Sequence, residues 1–307
     1  TPLQHMNVVL IPTWRRPEML WHCLQNIKRA HGANKHLYLF RLDVGYDKET
    51  LQVIDEFPLN KLVSYAKNTP YGITKQSHNL LEGYRMACER TDDLVYLIEE
   101  DIFVAQDFFT WHEAVMAQWI PGTLFCSIAA ANHNRTLNVT GSDREYYSTT
   151  LDYCSWGVCW HHQALRGYVL KHAAKPYYVN PRGYMIDHFP KSRIGLAYVE
   201  QDGLIRRIQE DLGMDRPIVY PFQPRAYHAG VYGYNRGGGI TGSLQDRIKW
   251  VAKVCYDDDQ VRLHAKRPEW YEDSRPIPLN RIHSVGPEGM AHAVHRSIDL
   301  ITNPSKL

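Results

Sequence analysis

The chain alternates short apolar runs with longer stretches of helical spacing. Asn7 to Pro12, NVVLIP, carries no polar side chain after its first residue and reads as a strand buried on both faces. Thr13-Trp14-Arg15-Arg16-Pro17 turns from it into a helix whose apolar positions, Met19, Leu20, Cys23, Leu24 and Ile27, share one stripe. Leu37 to Asp43 repeats the strand pattern and ends on a carboxylate. A helix over Lys48 to Glu56 and a short strand over Leu62 to Ala66 follow. Ile73 to Arg90, with Ile73, Leu80, Leu81, Tyr84 and Cys88 on its apolar side, leads as a helix into Leu94 to Ile98. This β-α-β-α-β-α-β alternation predicts an α/β fold with a mostly parallel central sheet.

Beyond that point the pattern is less regular. Phe125 to Ala131 reads as a further strand, and Asn132 to Asp152 as an irregular polar loop, long enough to be functional or mobile. Cys154 to Trp160 returns to apolar character, with Trp156 either a core residue or a face for a bound ring. Val199-Glu200-Gln201-Asp202 opens a helix, Gln245 to Cys255 forms another, and the Pro-, Arg- and His-rich remainder reads as a wrapping tail. No repeat and no second clean boundary interrupts the chain. Residues 1–131 and 132–307 are therefore expected to be two halves of one continuous domain.

The strand at Leu94 ends in Glu99, Glu100 and Asp101. The carboxyl edge of an open α/β sheet is where ligands bind, because the strands stop there and the loops leave a crevice. Three adjacent carboxylates repel one another. A hard cation sharing substrate phosphates, or plain solvation as an acidic helix-capping turn, would each make the arrangement tolerable.

Composition narrows the choices. Of 307 residues, 44% are hydrophobic, enough for a proper core, and 20 Tyr with 8 Trp suit the gripping of sugar or base rings. No apolar run approaches a membrane span and no secretory pattern opens the chain, so a soluble, cytoplasmic protein without a membrane partner is expected. The 6 Cys lack metal-finger spacing and read as buried free thiols. No Gly-x-Gly-x-x-Gly follows the first strand, which argues against a nicotinamide or flavin dehydrogenase. Residues 1–150 hold 14 Lys and Arg against 17 Asp and Glu, and residues 151–307 hold 21 against 16. The excess of basic residues in the second half fits either an anionic partner there or a solvated basic face.

Taken in order, the first strand, the strand ending in Asp43-Val44-Gly45, the His78 helix and the run into Glu99-Glu100-Asp101 with Asp107-Phe108-Phe109 after it resemble the GT-A fold glycosyltransferases. The likeness is to the N-acetylglucosaminyltransferase I type. It spans about the first 130 residues, and more loosely Tyr153 to Gly230. It implies a Rossmann-like nucleotide-diphospho-sugar transferase. The nucleotide-sugar site would lie in residues 1–131 and the acceptor site in 132–307. Residue by residue, it implies Asp101 as the metal carboxylate with Glu99 and Glu100 beside it, Mn2+ or Mg2+ as the ion, and His228 as a second ligand. Asp43 and His78 would meet uracil, and Arg15 or Arg16 the nucleotide of a UDP-sugar donor. The general base would be Asp202, with Glu200 the alternative, inverting the anomeric carbon; the same Asp202 could instead be a helix cap. Glu100 stands where the family has Asp.

A cytoplasmic transferase needs an acceptor hydroxyl inside the cell. The chain looks like phage-type enzymes that glycosylate 5-hydroxymethylcytosine in DNA. Lys266, Arg267, Trp270, Tyr271, Arg275, Arg281 and His283 of the tail would suit phosphate contact and stacking on a flipped base. A glycan or small-molecule acceptor is the alternative. So is a GT-A domain that binds a nucleotide sugar or glycan without turnover.

Overall fold

The structure, a computed structural model, describes residues 6–119, 121–130, 146–149, 153–213, 217–221, 224–230 and 241–257. In chain order the first half gives β1 (Val8–Thr13), α1 (Pro17–Arg29), β2 (Leu37–Leu42), α2 (Lys48–Asp55), β3 (Lys61–Tyr65), α3 (Lys75–Cys88) and β4 (Leu94–Leu97). Parallel pairing joins β3, β2, β1 and β4 side by side. Val8, Val9, Leu10 and Ile11 are fully buried, as an apolar run between two layers requires. Burying each such side chain contributes about 1.5–3 kcal/mol.

Local chemistry sets the helices. Pro17 starts α1 in its first turn, where a missing N–H costs nothing. At α2 the Asp47 carboxylate accepts from the Thr50 N–H at 2.8 Å. α3 packs tightly on β1 through Gly83, where an added Cβ would stand 2.9 Å from Leu10 Cδ1.

After β4 come β5 (Ile102–Val104), α4 (Phe108–Met116), β6 (Cys126–Ile128), β7 (Tyr146–Thr149), β8 (Val158–His161), α5 (His162–Ala164), α6 (Lys175–Val179), α7 (Pro181–His188), α8 (Gln201–Asp211), β9 (Ile218–Pro221), β10 (Ala226–His228) and α9 (Leu244–Asp257). The main sheet has eight strands in the order β3-β2-β1-β4-β8-β6-β9-β7. Only β8 and β7 run against the other described strands, so the sheet is mostly parallel. The α/β fold with a mostly parallel central sheet is the one expected. A small second sheet pairs β10 antiparallel with β5, setting His228 opposite Ile102.

Several elements differ from expectation. α3 starts at Lys75, and Ile73 lies in a 3-10 turn before it, 61% exposed. A Gly at position 72 with φ +52° favours that turn over helix. The stretch read as an irregular loop contains β7, whose strand character comes from pairing with β9 rather than from its own pattern. The rest of that loop, Gly237 to Gly239 and the tail from residue 258 lie outside the described residues. Among the described residues no helix is long and apolar enough to cross a membrane. Cys23, Cys88, Cys126, Cys154 and Cys159 are free and buried.

α9 returns to the first half. Arg247 Nε lies 3.2 Å from Glu18 Oε2 on α1, and its Nη2 meets Glu49 on α2. His22 Nε2 bonds the Ile248 carbonyl at 2.9 Å.

Candidate active site

The acidic residues follow β4 directly, and most of their mutual repulsion is answered from within the protein. Arg16, just before α1, donates from Nε to Glu100 Oε1 at 2.6 Å and from Nη1 to Asp101 Oδ2 at 2.7 Å. The Trp14 main-chain N–H donates to the other Glu100 oxygen at 2.6 Å. Both Glu100 oxygens are thus engaged by the β1–α1 turn. Glu99 accepts from Ser155 Oγ at 2.5 Å, and desolvation, with Asp101 adding to it, pushes its carboxyl up to about 8. Asp101 behaves oppositely. Burial alone would raise it, but the Arg16 guanidinium and the His228 imidazole hold it well below the usual carboxylate range.

His228 reaches this point through the small sheet. Its Nε2 lies 3.5 Å from Asp101 Oδ2, and the next N–H, of Ala229, donates to the Asp101 carbonyl at 2.8 Å. A buried ion pair positions the strand. Arg225 Nε meets Asp107 Oδ2 at 3.2 Å, so the Asp107-Phe108-Phe109 motif anchors β10 rather than facing the crevice. Trp156 stacks on His228 with ring centres 4.1 Å apart and planes 2° from parallel, so it serves neither of its two expected roles alone. Gly230 packs against this pair without room for a side chain: a Cβ there would lie 2.7 Å from Asp101 Oδ2 and 2.9 Å from His228 Nε2.

The resemblance implies a divalent cation here. Among the described residues no group of three or more His, Cys, Asp or Glu side chains is arranged to hold one. Asp101 Oδ1 is nevertheless buried without a hydrogen-bond partner, beside an imidazole. One carboxylate and one histidine suit an ion that takes its remaining oxygens from a diphosphate. The residues present fit such an ion.

Asp202 stands in the first turn of α8 and Glu200 is the residue before the helix, with no side-chain capping bond. Asp202 is therefore not the cap of its helix. Its Oδ1 is buried and unpartnered, while the Ser155 main-chain N–H bonds the carboxylate. Desolvation pushes it up to about 7, against the pull of the nearby Arg206. Ser155 thus touches Glu99 with its hydroxyl and Asp202 with its backbone, while its neighbour Trp156 carries His228. Nothing in the local sequence around Ser155 signals this, because every partner is distant along the chain.

The remaining site residues fall around a second cluster. His78 lies 4.9 Å from the Tyr71 ring and 4.8 Å from the Tyr178 ring, and Tyr71 and Tyr178 stack on each other. The His78 imidazole is held below its ordinary value by desolvation, while the charges of Glu82 and Asp43 pull the other way. Asp43, at the end of β2, accepts from the Val44 N–H at 2.6 Å. Trp14 links the clusters, since its ring N–H donates to the Val44 carbonyl at 3.1 Å. Of the two arginines the structure brings in Arg16. Arg15 stays exposed over the Trp14 ring, 5.8 Å from its centre.

No protein-family model matches the chain, and no curated protein sequence does. Solved structures are similar at low identity. Residues 1–349 of S. aureus TarS in complex with UDP align over 95% of this chain and 71% of that one, at TM-score 0.43 and 11% identity. The apo form of mouse xyloside xylosyltransferase 1 covers 69% of this chain and 84% of its own, at TM-score 0.41 and 10% identity. The 4-diphosphocytidyl-2C-methyl-D-erythritol synthase of Anaerococcus prevotii covers 80% and 96%, at 0.41 and 10%.

Proposed function

We propose that the protein is a glycosyltransferase that moves a sugar from a UDP-sugar to an acceptor hydroxyl with inversion. The observation that carries this reading is the pairing of Asp101 and Asp202 through the Ser155 segment. One carboxylate is kept ionised beside a histidine and an arginine, and the other is kept near 7. A base poised near neutrality is suited to take the proton from an attacking hydroxyl. Nucleotidyl transfer onto a phosphate would not call for such a base.

In this mechanism Arg16 and the crevice around Asp101 face the donor diphosphate, and Asp101 with His228 would hold a Mn2+ or Mg2+ ion. That ion would neutralise charge on the departing diphosphate. Asp43 and His78, the latter flanked by Tyr71 and Tyr178, would meet uracil, as the resemblance implies. Asp202 accepts the acceptor's proton, with Glu200 the alternative base beside it. Desolvation and the Asp101 charge raise the Glu99 carboxyl to about 8, which favours its neutral form beside the ionised Asp101. The acceptor to try first is 5-hydroxymethylcytosine in DNA, in keeping with the excess of basic residues after residue 150.

The test is mass-spectrometric nucleoside analysis of 5-hydroxymethylcytosine duplex incubated with the protein, Mn2+ and a panel of UDP-sugars, with Asp101→Ala as control. A hexose or N-acetylhexosamine mass on the base, absent with Asp101→Ala, is the expected result. UDP release without base modification would move the acceptor to a glycan or small molecule. Neither release nor addition with any donor would overturn the reading in favour of a domain that binds without turnover.

A further inference from the structure

The segment leading into the candidate base is fixed with unusual thoroughness for one that leaves its side chains in solvent. Arg207 of α8 is 1% exposed, and its guanidinium is directed at main-chain carbonyls: Tyr198 at 2.6 Å, Ile194 and Gly195 at 2.9 Å, and Gly203 at 3.0 Å. Gly203 has no room for a side chain, since a Cβ there would lie 2.1 Å from the Tyr198 oxygen. From the other side the Tyr177 hydroxyl donates to the Val199 carbonyl at 2.9 Å. Burying a cation costs several kcal/mol, so three carbonyl contacts spent on one loop need a reason.

The outward side of that loop supplies one. Leu196 is 42% exposed and Tyr198 58%, two to four residues before Glu200. Two further exposed apolar side chains lie on the elements bonded to this loop. Thr74 Oγ1 bonds the Tyr178 carbonyl at 2.6 Å and Tyr177 bonds Val199, which ties the 3-10 turn before α3, α6 and the loop side by side. Ile73 and Val179, each 61% exposed, are the chain neighbours of those bonded residues. Lys175 stands four residues before Val179 on α6 and so shares its face. Over residues 171–198 the charged side chains are Lys171, Lys175, Arg182, Lys191 and Arg193 against Asp187, with Arg193 paired to Glu210 of α8 at 3.1 Å.

A rigid edge that offers an exposed tyrosine and aliphatic side chains within a strongly basic stretch matches one acceptor chemistry. Phosphates are met by lysines and arginines, and the flat face of a base by an aromatic ring. Resting on the glycosyl-transfer reading, we infer that this face, centred on Tyr198 and Lys175, docks the nucleic-acid strand that presents the acceptor hydroxyl to Asp202. The face lies on described residues, unlike the tail to which the sequence assigned this role.

Fluorescence anisotropy with a labelled single-stranded oligonucleotide, repeated across salt concentrations, tests this without relying on turnover. Tyr198→Ala should weaken binding about ten- to hundredfold. Lys175→Glu should weaken it and flatten the salt dependence. Circular dichroism confirms that both variants fold, and Tyr198→Phe should retain binding. Absence of oligonucleotide binding by the unaltered protein would overturn the inference, as would variants that bind like it. So would equal binding of a polyol-phosphate polymer that carries no bases, unaffected by Tyr198→Ala. UDP release from donor by the unaltered protein without oligonucleotide reports separately on the transfer reading. Its failure alongside Tyr198-dependent binding would remove the reaction and leave the docking face.

Discussion

The strand end at Asp101 and the helix start at Asp202 treat the same functional group in opposite ways. At Asp101 a guanidinium and an imidazole outweigh desolvation, and the carboxylate stays charged. At Asp202 desolvation outweighs the one nearby arginine, and the carboxyl titrates near 7. Two carboxyls joined by a single short segment are thereby given different chemistry: one is kept charged beside a guanidinium and an imidazole, the other can hold or release a proton near neutrality. Neither behaviour follows from the residue type. Each follows from what the neighbouring elements bring.

The strongest way to break this contrast is Asp202→Asn. Removing the base should lower turnover about 10²- to 10⁴-fold while donor binding, read by calorimetry with UDP, is unchanged. If Glu200→Gln has that effect and Asp202→Asn does not, the base moves two residues. The pH profile sharpens the same point. A base raised to about 7 is protonated below that value, so kcat should fall about tenfold per unit as pH drops beneath 7 and level off above it. A profile flat from pH 5 to 8 would contradict the assignment.

The next largest effect belongs to the anchor of the Asp101 side. Asp107 and Arg225 form a pair buried on both sides that fixes β10, and removing one partner leaves an uncompensated buried charge. Asp107→Ala should cost about 3–5 kcal/mol in denaturant unfolding. Placing Met at Arg225 together with Leu at Asp107 should recover much of it, if the pair's role is anchorage. Unchanged stability in Asp107→Ala would sever the DFF motif from the positioning of His228.

Much of the Asp101 side was legible in the sequence, and little of the link between the two sides was. Val8 to Ile11, Leu37 to Phe40 and Leu94 to Leu97 are continuous apolar runs, so the strands and the carboxyl edge could be read locally. Glu100 was legible as a residue but not in its bonding, because Arg16 and Trp14 reach it from 84 and 86 residues away. β5, β10 and β7 are short strands whose pairing partners are remote, and short strands take their identity from those partners. Ile73 misled for the opposite reason: its apolar character fitted a helical stripe, while the adjacent glycine at positive φ set a turn. Ser155 carried no signal, since a serine beside a tryptophan is chemically unremarkable until Glu99 and Asp202 are folded against it.

That serine gives the finest test of the comparison. Its hydroxyl donates to Glu99 at 2.5 Å while its backbone N–H holds Asp202, so the side chain can be removed without deleting either carboxylate. Ser155→Ala leaves Glu99 Oε1 without its donor inside a desolvated site, a loss of about 1–3 kcal/mol that relaxation of the segment would reduce. The segment also carries Trp156 against His228, so a shift there reaches both aspartates at once. Turnover should drop about tenfold, with the acid limb of the pH profile displaced, and Ser155→Thr should restore most of the rate. Were Ser155→Ala to match the unaltered protein in rate and in pH profile, the two carboxyls would be independent. The contrast between them would then arise from Arg16, His228 and desolvation alone.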